Sequence, residues 1–138
     1  MPEQSPVLFV TRYYWPELIG SAPFSTDIAE WLAAHGRPAT VVTALPYYPH
    51  DEVFPAYRGD RCRRETVCGV DILRLGVGPP RATSAMARMA NEAEFLLRGL
   101  IDLARGRLRQ DRAQGARTAG RASGKNRARR PCASSGGA

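Results

Sequence analysis

The chain has 138 residues, of which 43% are apolar and 24% charged, with a formal net charge of +7. This length allows one domain with a modest core, and no apolar run reaches the roughly 20 residues of a membrane-spanning helix. The N-terminus carries an acidic residue and no basic cluster before its short apolar stretch, which excludes a typical secretory signal and predicts a cytoplasmic protein. Three cysteines show no metal-ligand spacing, so we expect no metal site.

The positive charge is confined to one end of the chain. Residues 1–104 contain ten arginines and twelve acidic residues, a net charge of −2, whereas residues 105–138 carry +9. The latter segment has Leu108 as its only large aliphatic residue and no aromatic residue. It cannot bury enough apolar surface to offset the entropy of ordering it. We therefore predict a partial domain at 1–104 and a disordered basic tail at 105–138.

Two hypotheses account for this tail. A basic arm would bind nucleic acid or an anionic membrane surface through phosphates, and its affinity would fall steeply with salt. Alternatively, a GC-rich gene read out of frame produces this mixture, because the codons of Arg, Ala, Gly and Pro begin with two G or C bases. The abrupt change of composition, at the point where a further strand is due, favours the frameshift. Nucleic acid is then not an expected partner.

A strand, a helix and a second strand are predicted within the first 45 residues. Residues 6–12 (PVLFVTR) and 39–45 (ATVVTAL) are apolar runs typical of buried parallel strands. Between them, FSTDIAEWLAAHG predicts a helix capped by Ser25 or Thr26, and its apolar residues share one face: Phe24, Ile28, Trp31 and Leu32. This βαβ unit predicts the α/β class, with an incomplete Rossmann-like parallel sheet.

Two further strands and a long helix are predicted after an irregular stretch at 46–60. Residues 61–75 indicate two short strands around Cys68-Gly69, and the alternation of the second suits a half-exposed or edge strand. From Thr83 to Ala104 the apolar spacing predicts an amphipathic helix that packs on the core. The alternative is a surface helix at a membrane, with arginines near lipid phosphates: Arg81, Arg88, Arg98 and Arg105. The mixed charge of the helix favours core packing.

Three ordered blocks carry a family resemblance: VLFVTRYYWPELIGSAPFSTDIAEWLAAHG, ATVVTALPYYP, and VFPAYRG followed by RRETVCGVDILRL. With them, the segment from Val7 to about Leu100 resembles the N-terminal domain of family 4 glycosyltransferases of the GT-B fold. It is most similar to the colanic-acid and exopolysaccharide branch. The resemblance implies a retaining, hexosyltransferase-type enzyme in cell-surface polysaccharide biosynthesis. Its substrates would be a nucleotide sugar and a saccharide or lipid-linked acceptor, and it would need no further cofactor. The reaction would take place at the cytoplasmic face of the membrane.

The resemblance also implies where substrates bind. Ligands of open parallel sheets bind beyond the carboxyl ends of the strands, where the loops after the first two strands lie. Gly20 and Ser21 match the family loop beside the donor diphosphate and the acceptor, and a missing Cβ lets a phosphate approach a helix N-terminus. The other candidates are three aromatic residues and one acid. Tyr14, Tyr47 and Tyr48 could stack on a sugar or, alternatively, anchor the core and the loops. Glu17 could bind an acceptor hydroxyl or, alternatively, act as a cap.

No stretch of the 138 residues matches the C-terminal domain of that family, which carries a Glu-x7-Glu pair. The Pro-Asp-Val-Val type of strand that should follow the long helix is also missing. We therefore expect an unfinished sheet with an exposed apolar edge, no catalytic residue in this chain and no transferase activity. The alternative function is that of a small nonenzymatic protein whose basic tail binds nucleic acid or an anionic membrane surface.

Overall fold

The structure, a computed structural model, describes residues 5–105. Its elements in chain order are β1 (Val7–Val10), α1 (Ala22–Ala34), β2 (Ala39–Ala44), a short 3-10 helix (Pro55–Tyr57), β3 (Cys62–Val67), β4 (Val70–Leu75) and α2 (Ala85–Ala104). Each predicted strand and helix is therefore present, and the α/β class is confirmed. Apart from Arg105, the tail predicted to be disordered lies outside the described residues.

The four strands form one mixed sheet in the order β1-β2-β4-β3. Strands β1, β2 and β4 are parallel, with Phe9 opposite Val41 and Val41 opposite Ile72, whereas β3 runs antiparallel to β4. The prediction of a parallel sheet is thus wrong for β3. The physical reason is the turn between β3 and β4, in which Cys68 and Gly69 both have positive φ, 51° and 78°. A two-residue turn of this kind joins antiparallel strands.

The helices pack on opposite faces of this sheet. Ala29, Leu32 and Ala33 of α1 pack against a cluster that includes Val41 and Ile72. Phe95 of α2 packs on a second cluster. This cluster is formed by residues of β2 and β4 that alternate with those of the first cluster, and by one residue after β4: Val42, Ala44, Leu73, Leu75 and Val77. Because successive strand residues face opposite sides, the two clusters are the two faces of the sheet.

Strand β4 is central, so its prediction as a half-exposed or edge strand is wrong. It pairs with β2 on one side and β3 on the other, and Arg74 within it is fully buried. The buried guanidinium forms an ion pair with Glu65 of β3. A charged residue in a strand therefore predicts exposure only where the fold brings no residue of opposite charge next to it. The edge strands of the sheet are β1 and β3, and in β1 the side chains of Leu8 and Val10 are exposed.

The first helix buries a face other than the predicted one. Phe24, Ile28 and Trp31 are exposed, whereas the buried residues are Ala22, Thr26, Ala29 and Glu30. Small side chains allow the helix to approach the sheet closely, and the Thr26 hydroxyl accepts a hydrogen bond from the Trp15 N–H at 3.2 Å. The cap also differs from the prediction. The helix begins at Ala22 after Ser21, and Pro23 occupies its first turn, where proline is tolerated.

The second helix is amphipathic as predicted, but it does not pack on the core through its apolar face. Ser84 caps it by accepting a hydrogen bond from the Ala87 N–H at 3.2 Å. Phe95 and Asp102 are its buried residues. Seven large apolar side chains are exposed by 37% to 76%: Met86, Met89, Leu96, Leu97, Leu100, Ile101 and Leu103. The core-packing interpretation is therefore wrong. No helix in residues 5–105 is long and apolar enough to cross a membrane.

Candidate functional site

A pocket of about 470 Å³ lies at the carboxyl ends of the parallel strands. The loops after β1 and β2, the segment after β4 and the first turns of α2 line it, and we call it the strand-end pocket. Its lining residues are Tyr13, Tyr47, Tyr48, Asp51, Pro80, Arg81, Ala82, Thr83, Arg88, Asn91 and Glu92. Both its volume and its position suit a small-molecule site in an open α/β sheet.

Arg12, at the end of β1, joins the elements around this pocket. Its Nη2 donates to the Gly78 carbonyl at 3.0 Å and to Asn91 Oδ1, and its Nε lies 3.5 Å from Glu92 Oε1. The guanidinium carbon lies 5.7 Å from the ring centroid of Tyr47. Its Nη1 is buried without a hydrogen-bond partner in the described part of the chain. Arg12 thus fixes the segment after β4 and the start of α2 against the end of β1.

Tyr13 and Tyr47 bring the first two loops together at the wall of the pocket. Their hydroxyl oxygens are hydrogen-bonded at 3.1 Å, and their ring centroids lie 6.2 Å apart. Burial, and next to it the hydrogen bond with Tyr47, raises the pKa of the Tyr13 hydroxyl to about 12. The Tyr13 phenol is therefore neutral at physiological pH, when it can donate and accept hydrogen bonds.

Glu17 is buried behind the pocket, where it links the two loops through the backbone. Its Oε1 accepts hydrogen bonds from the Tyr47 N–H at 3.1 Å and the Tyr48 N–H at 3.0 Å. Burial raises the pKa of this carboxyl above its usual value, although both hydrogen bonds and the nearby Arg74 and Arg12 lower it. Because the side chain is only 2% exposed, its observed role is to position Tyr47 and Tyr48.

The remaining predicted residues lie in different surroundings. Tyr48 is exposed and lines the pocket, whereas Tyr14 is buried in the core with Ala29 and Val41. This position of Tyr14 favours a core anchor over a stacking surface. Gly20 and Ser21 are exposed at the start of α1 and are not among the lining residues.

Gly20 has a backbone requirement of its own. Its φ is +54°, and a Cβ at this position would meet no atom within 4 Å. The glycine is therefore favoured by its left-handed backbone rather than by crowding. The Ser21 hydroxyl lies 3.5 Å from the Thr11 hydroxyl, so two hydroxyl groups are available beside the helix N-terminus.

A second buried arginine, Arg74, contacts the backbone of the first loop. Arg74 donates to the Trp15 carbonyl and to Glu65, and its guanidinium carbon lies 4.9 Å from the ring centroid of Tyr57. The Tyr57 hydroxyl also donates to Glu65, at 3.2 Å. This Arg74–Glu65–Tyr57 cluster connects β4, β3 and the second loop to the loop that carries Tyr13 and Glu17.

Sequence reasoning missed Arg12, Arg74 and Asn91 as residues that build the site. Arg12 could have been identified, since a cation two residues after the end of a parallel strand lies at the edge of the sheet where ligands bind. Arg74 carried a weaker signal, a lone charge between leucines. Asn91 carried none, because its role depends on contacts with Arg12 and with the Gly78 carbonyl, to which its amide donates at 3.2 Å.

The lining of the pocket can bind a polyhydroxylated molecule. Phenol hydroxyls, the Asn91 amide and the carboxylates of Asp51 and Glu92 supply donors and acceptors, while Arg81 and Arg88 supply positive charge. Within residues 5–105 no group of three or more histidine, cysteine or acidic side chains could hold a metal ion.

Fold and pocket together define an α/β protein with a pocket at the carboxyl ends of its parallel strands. No protein family model matches the chain, and no solved structure matches it. Over 90 residues the chain is 33% identical to the protein WcaI of Escherichia coli (strain K12), whose name describes a colanic acid biosynthesis glycosyl transferase. The match covers 65% of this chain and 22% of WcaI. This similarity supports a glycosyltransferase relationship, and the chain spans about a fifth of the relative's length.

Proposed function

We propose that residues 1–104 form the acceptor-side part of a nucleotide-sugar glycosyltransferase, of family 4 and the GT-B fold. The observation that carries this proposal is the strand-end pocket, walled by Tyr13 and Tyr47, in a chain similar to WcaI. WcaI is described as acting in colanic acid biosynthesis. We extend that role to this chain as polysaccharide biosynthesis at the cytoplasmic face of the membrane.

The proposed ligand of the pocket is the acceptor, a saccharide or a lipid-linked saccharide. The hydroxyls of Tyr13 and Tyr47 and the amide of Asn91 would hydrogen-bond its hydroxyls. Arg81 and Arg88 line one side of the pocket and would bind an anionic group of the acceptor. Tyr48 offers an exposed ring against which a sugar can stack.

The proposed donor is a nucleotide sugar, with no further cofactor, and the transfer is of the retaining hexosyltransferase type. Its diphosphate would lie against Gly20 and Ser21, where the Ser21 hydroxyl lies at the helix N-terminus. By the family resemblance, most of the contacts to the donor come from a C-terminal domain. The 138 residues contain no Glu-x7-Glu pair of the kind found in that domain.

We expect the 138-residue chain to transfer no sugar by itself. Positioned donor contacts account for much of an enzyme's acceleration, so a pocket for the acceptor alone should not accelerate the reaction. The measurement is release of nucleoside diphosphate from UDP-, GDP- and ADP-sugars, with a heat-unfolded sample as the control. A rate above that control would contradict the expected inactivity.

The coding DNA provides the sharpest test of the domain assignment. Translation beyond codon 104 in the other two frames should give a strand of the Pro-Asp-Val-Val type. It should then give a segment with a Glu-x7-Glu pair in an α/β context. If neither frame encodes them, the proposal that this chain is part of such an enzyme fails in its present form.

A further inference from the structure

A second pocket, of about 260 Å³, lies between the start of β3, the end of β4 and the last turns of α2. It shares no lining residue with the strand-end pocket, and we call it the helix-end pocket. Its volume is below that of a typical drug-sized site but is sufficient for a small anion. Six of its lining residues carry charge or define its shape: Arg61, Cys62, Gly76, Arg98, Asp102 and Arg105.

The missing side chain of Gly76 makes room for the backbone of Arg61. A Cβ at Gly76 would lie 2.3 Å from the Arg61 carbonyl oxygen, which is closer than real Cβ contacts come. The next residue, Cys62, is paired with Leu75 at the end of the β3–β4 ladder. Glycine therefore allows the two segments to approach closely at this ladder end, and the approach brings Arg61 to the last turns of α2.

Three arginines from two separate parts of the chain line the helix-end pocket. Arg98 is held in place, because its Nη1 donates to the Gly76 carbonyl at 3.3 Å and its Nη2 lies 2.7 Å from Glu94 Oε1. Arg105 follows seven residues later, about two turns along the same side of the helix. The guanidinium groups of Arg61 and Arg105 form no ion pair or hydrogen bond with any residue between 5 and 105.

The charge around this pocket is positive after the acidic residues are counted. Among the described lining residues Asp102 is the one acid, and it is buried, while Glu94 outside the lining is paired with Arg98. The negative end of the helix dipole favours a cation in the last turn, which accounts for Arg105. It does not account for Arg61, which precedes β3. Neighbouring cations repel one another, and a bound anion would remove that repulsion.

We infer that the helix-end pocket binds a phosphate group, as inorganic phosphate or as the terminal group of a small phosphate monoester. A phosphate group offers several acceptor oxygens, and arginine binds it in a bidentate geometry. Arg98 is already positioned by Gly76 and Glu94, and the guanidinium groups of Arg61 and Arg105 are available for the phosphate oxygens. This site does not depend on the proposed transferase activity.

Amide chemical shifts in NMR spectra of the full 138-residue chain test the site, because they separate the pocket from the basic tail residue by residue. Inorganic phosphate and, in a second titration, glucose 1-phosphate are added at pH 7 and an ionic strength of about 0.15 M. The amides of Gly76 and Cys62 should shift with saturation, whereas that of Gly36, which follows α1, should not. The more tightly bound ligand identifies the source of the phosphate group. Acetate, with one charge and two oxygens, should bind more weakly than either.

Arg61→Gln should weaken phosphate binding at least about tenfold, the loss expected when a hydrogen bond between charged groups is removed. Arg37→Gln is the matched control, since it removes an exposed arginine that does not line the pocket, and it should bind like the parent. Arg105→Gln repeats the test at the end of α2 in case Arg61→Gln does not fold. Shifts that do not saturate, that persist unchanged in both pocket variants or that weaken equally in the control would overturn the inference, as would acetate binding as tight as that of phosphate.

Discussion

Replacing Arg74 by alanine is expected to lower the free energy of unfolding by about 3–5 kcal/mol, the range observed when one partner of a buried ion pair is removed. The side chain is fully buried, and it pairs with Glu65 and donates to the Trp15 carbonyl. In its absence Glu65, with a side chain only 14% exposed, would keep a charge with less compensation. Since small domains are stable by about 5–15 kcal/mol, this loss is a large fraction of the total.

Urea unfolding followed by circular dichroism measures this loss. With a slope of about 1–3 kcal/mol per molar urea, the midpoint should fall by at least about 1 M. Arg58→Ala is the control, because its pair with Glu52 is largely exposed and should contribute at most about 1 kcal/mol. If the alanine variant does not fold, Arg74→Lys, which retains the charge but loses the planar fork, should fold with an intermediate stability. A midpoint for Arg74→Ala equal to that of Arg58→Ala would contradict the prediction.

Replacing Glu17 by alanine is expected to destabilise the protein by about 2–4 kcal/mol, because it leaves two backbone donors without an acceptor. These are the N–H groups of Tyr47 and Tyr48, which hold the second loop against the first. Glu17→Gln keeps an oxygen acceptor at the same place and should lie within about 1 kcal/mol of the parent. Urea midpoints of the three proteins at neutral pH give the comparison. Equal losses for the glutamine and alanine variants would argue against this acceptor role.

The pH dependence of Glu17 gives an independent measurement with a defined sign. Burial raises the pKa of this carboxyl in the folded protein above the ordinary value of 4.5. The folded state therefore holds the proton more tightly than the unfolded chain does. The contribution of this group is fully present below pH 4.5 and is lost as the pH rises through the folded pKa. The parent should accordingly gain stability relative to Glu17→Gln as the pH is lowered from neutral towards 4.5. A difference that does not change with pH would contradict the raised pKa.

The positions of the strands and helices could be predicted from the sequence because their signals are local. The apolar runs at 6–12 and 39–45 contain β1 and β2, and the Cys68-Gly69 turn separates β3 from β4. The similarity to a colanic acid glycosyl transferase, expected from three short blocks, was found over 90 residues. The strand and helix predictions required only spacing, β-branched content and turn residues, all of which are properties of neighbouring residues.

The surfaces that these elements bury were decided by the tertiary structure. In α1 the small residues Ala22 and Ala29 face the sheet while Phe24 and Trp31 are exposed. Periodicity identifies an apolar face but not the partner of that face. In α2 the hydrogen bonds of Asn91 and Arg98 fix the polar side against the sheet. Such bonds join residues distant in sequence, so no local pattern contains them.

For the candidate site, the sequence determined the two loops and the tertiary structure determined the role of each residue. Tyr47 and Tyr48 were predicted at a ligand site, and both line the strand-end pocket. Glu17 was predicted as a site residue from its residue type. Its observed contacts are with Tyr47 and Tyr48, which lie 30 and 31 positions further along the chain. The contact between Arg12 and Asn91 joins residues that are 79 positions apart. The sequence alone thus determined which residues are near the strand ends. Only the fold decided which of them face the pocket and which are buried behind it, because burial and charge compensation depend on partners brought together by the sheet.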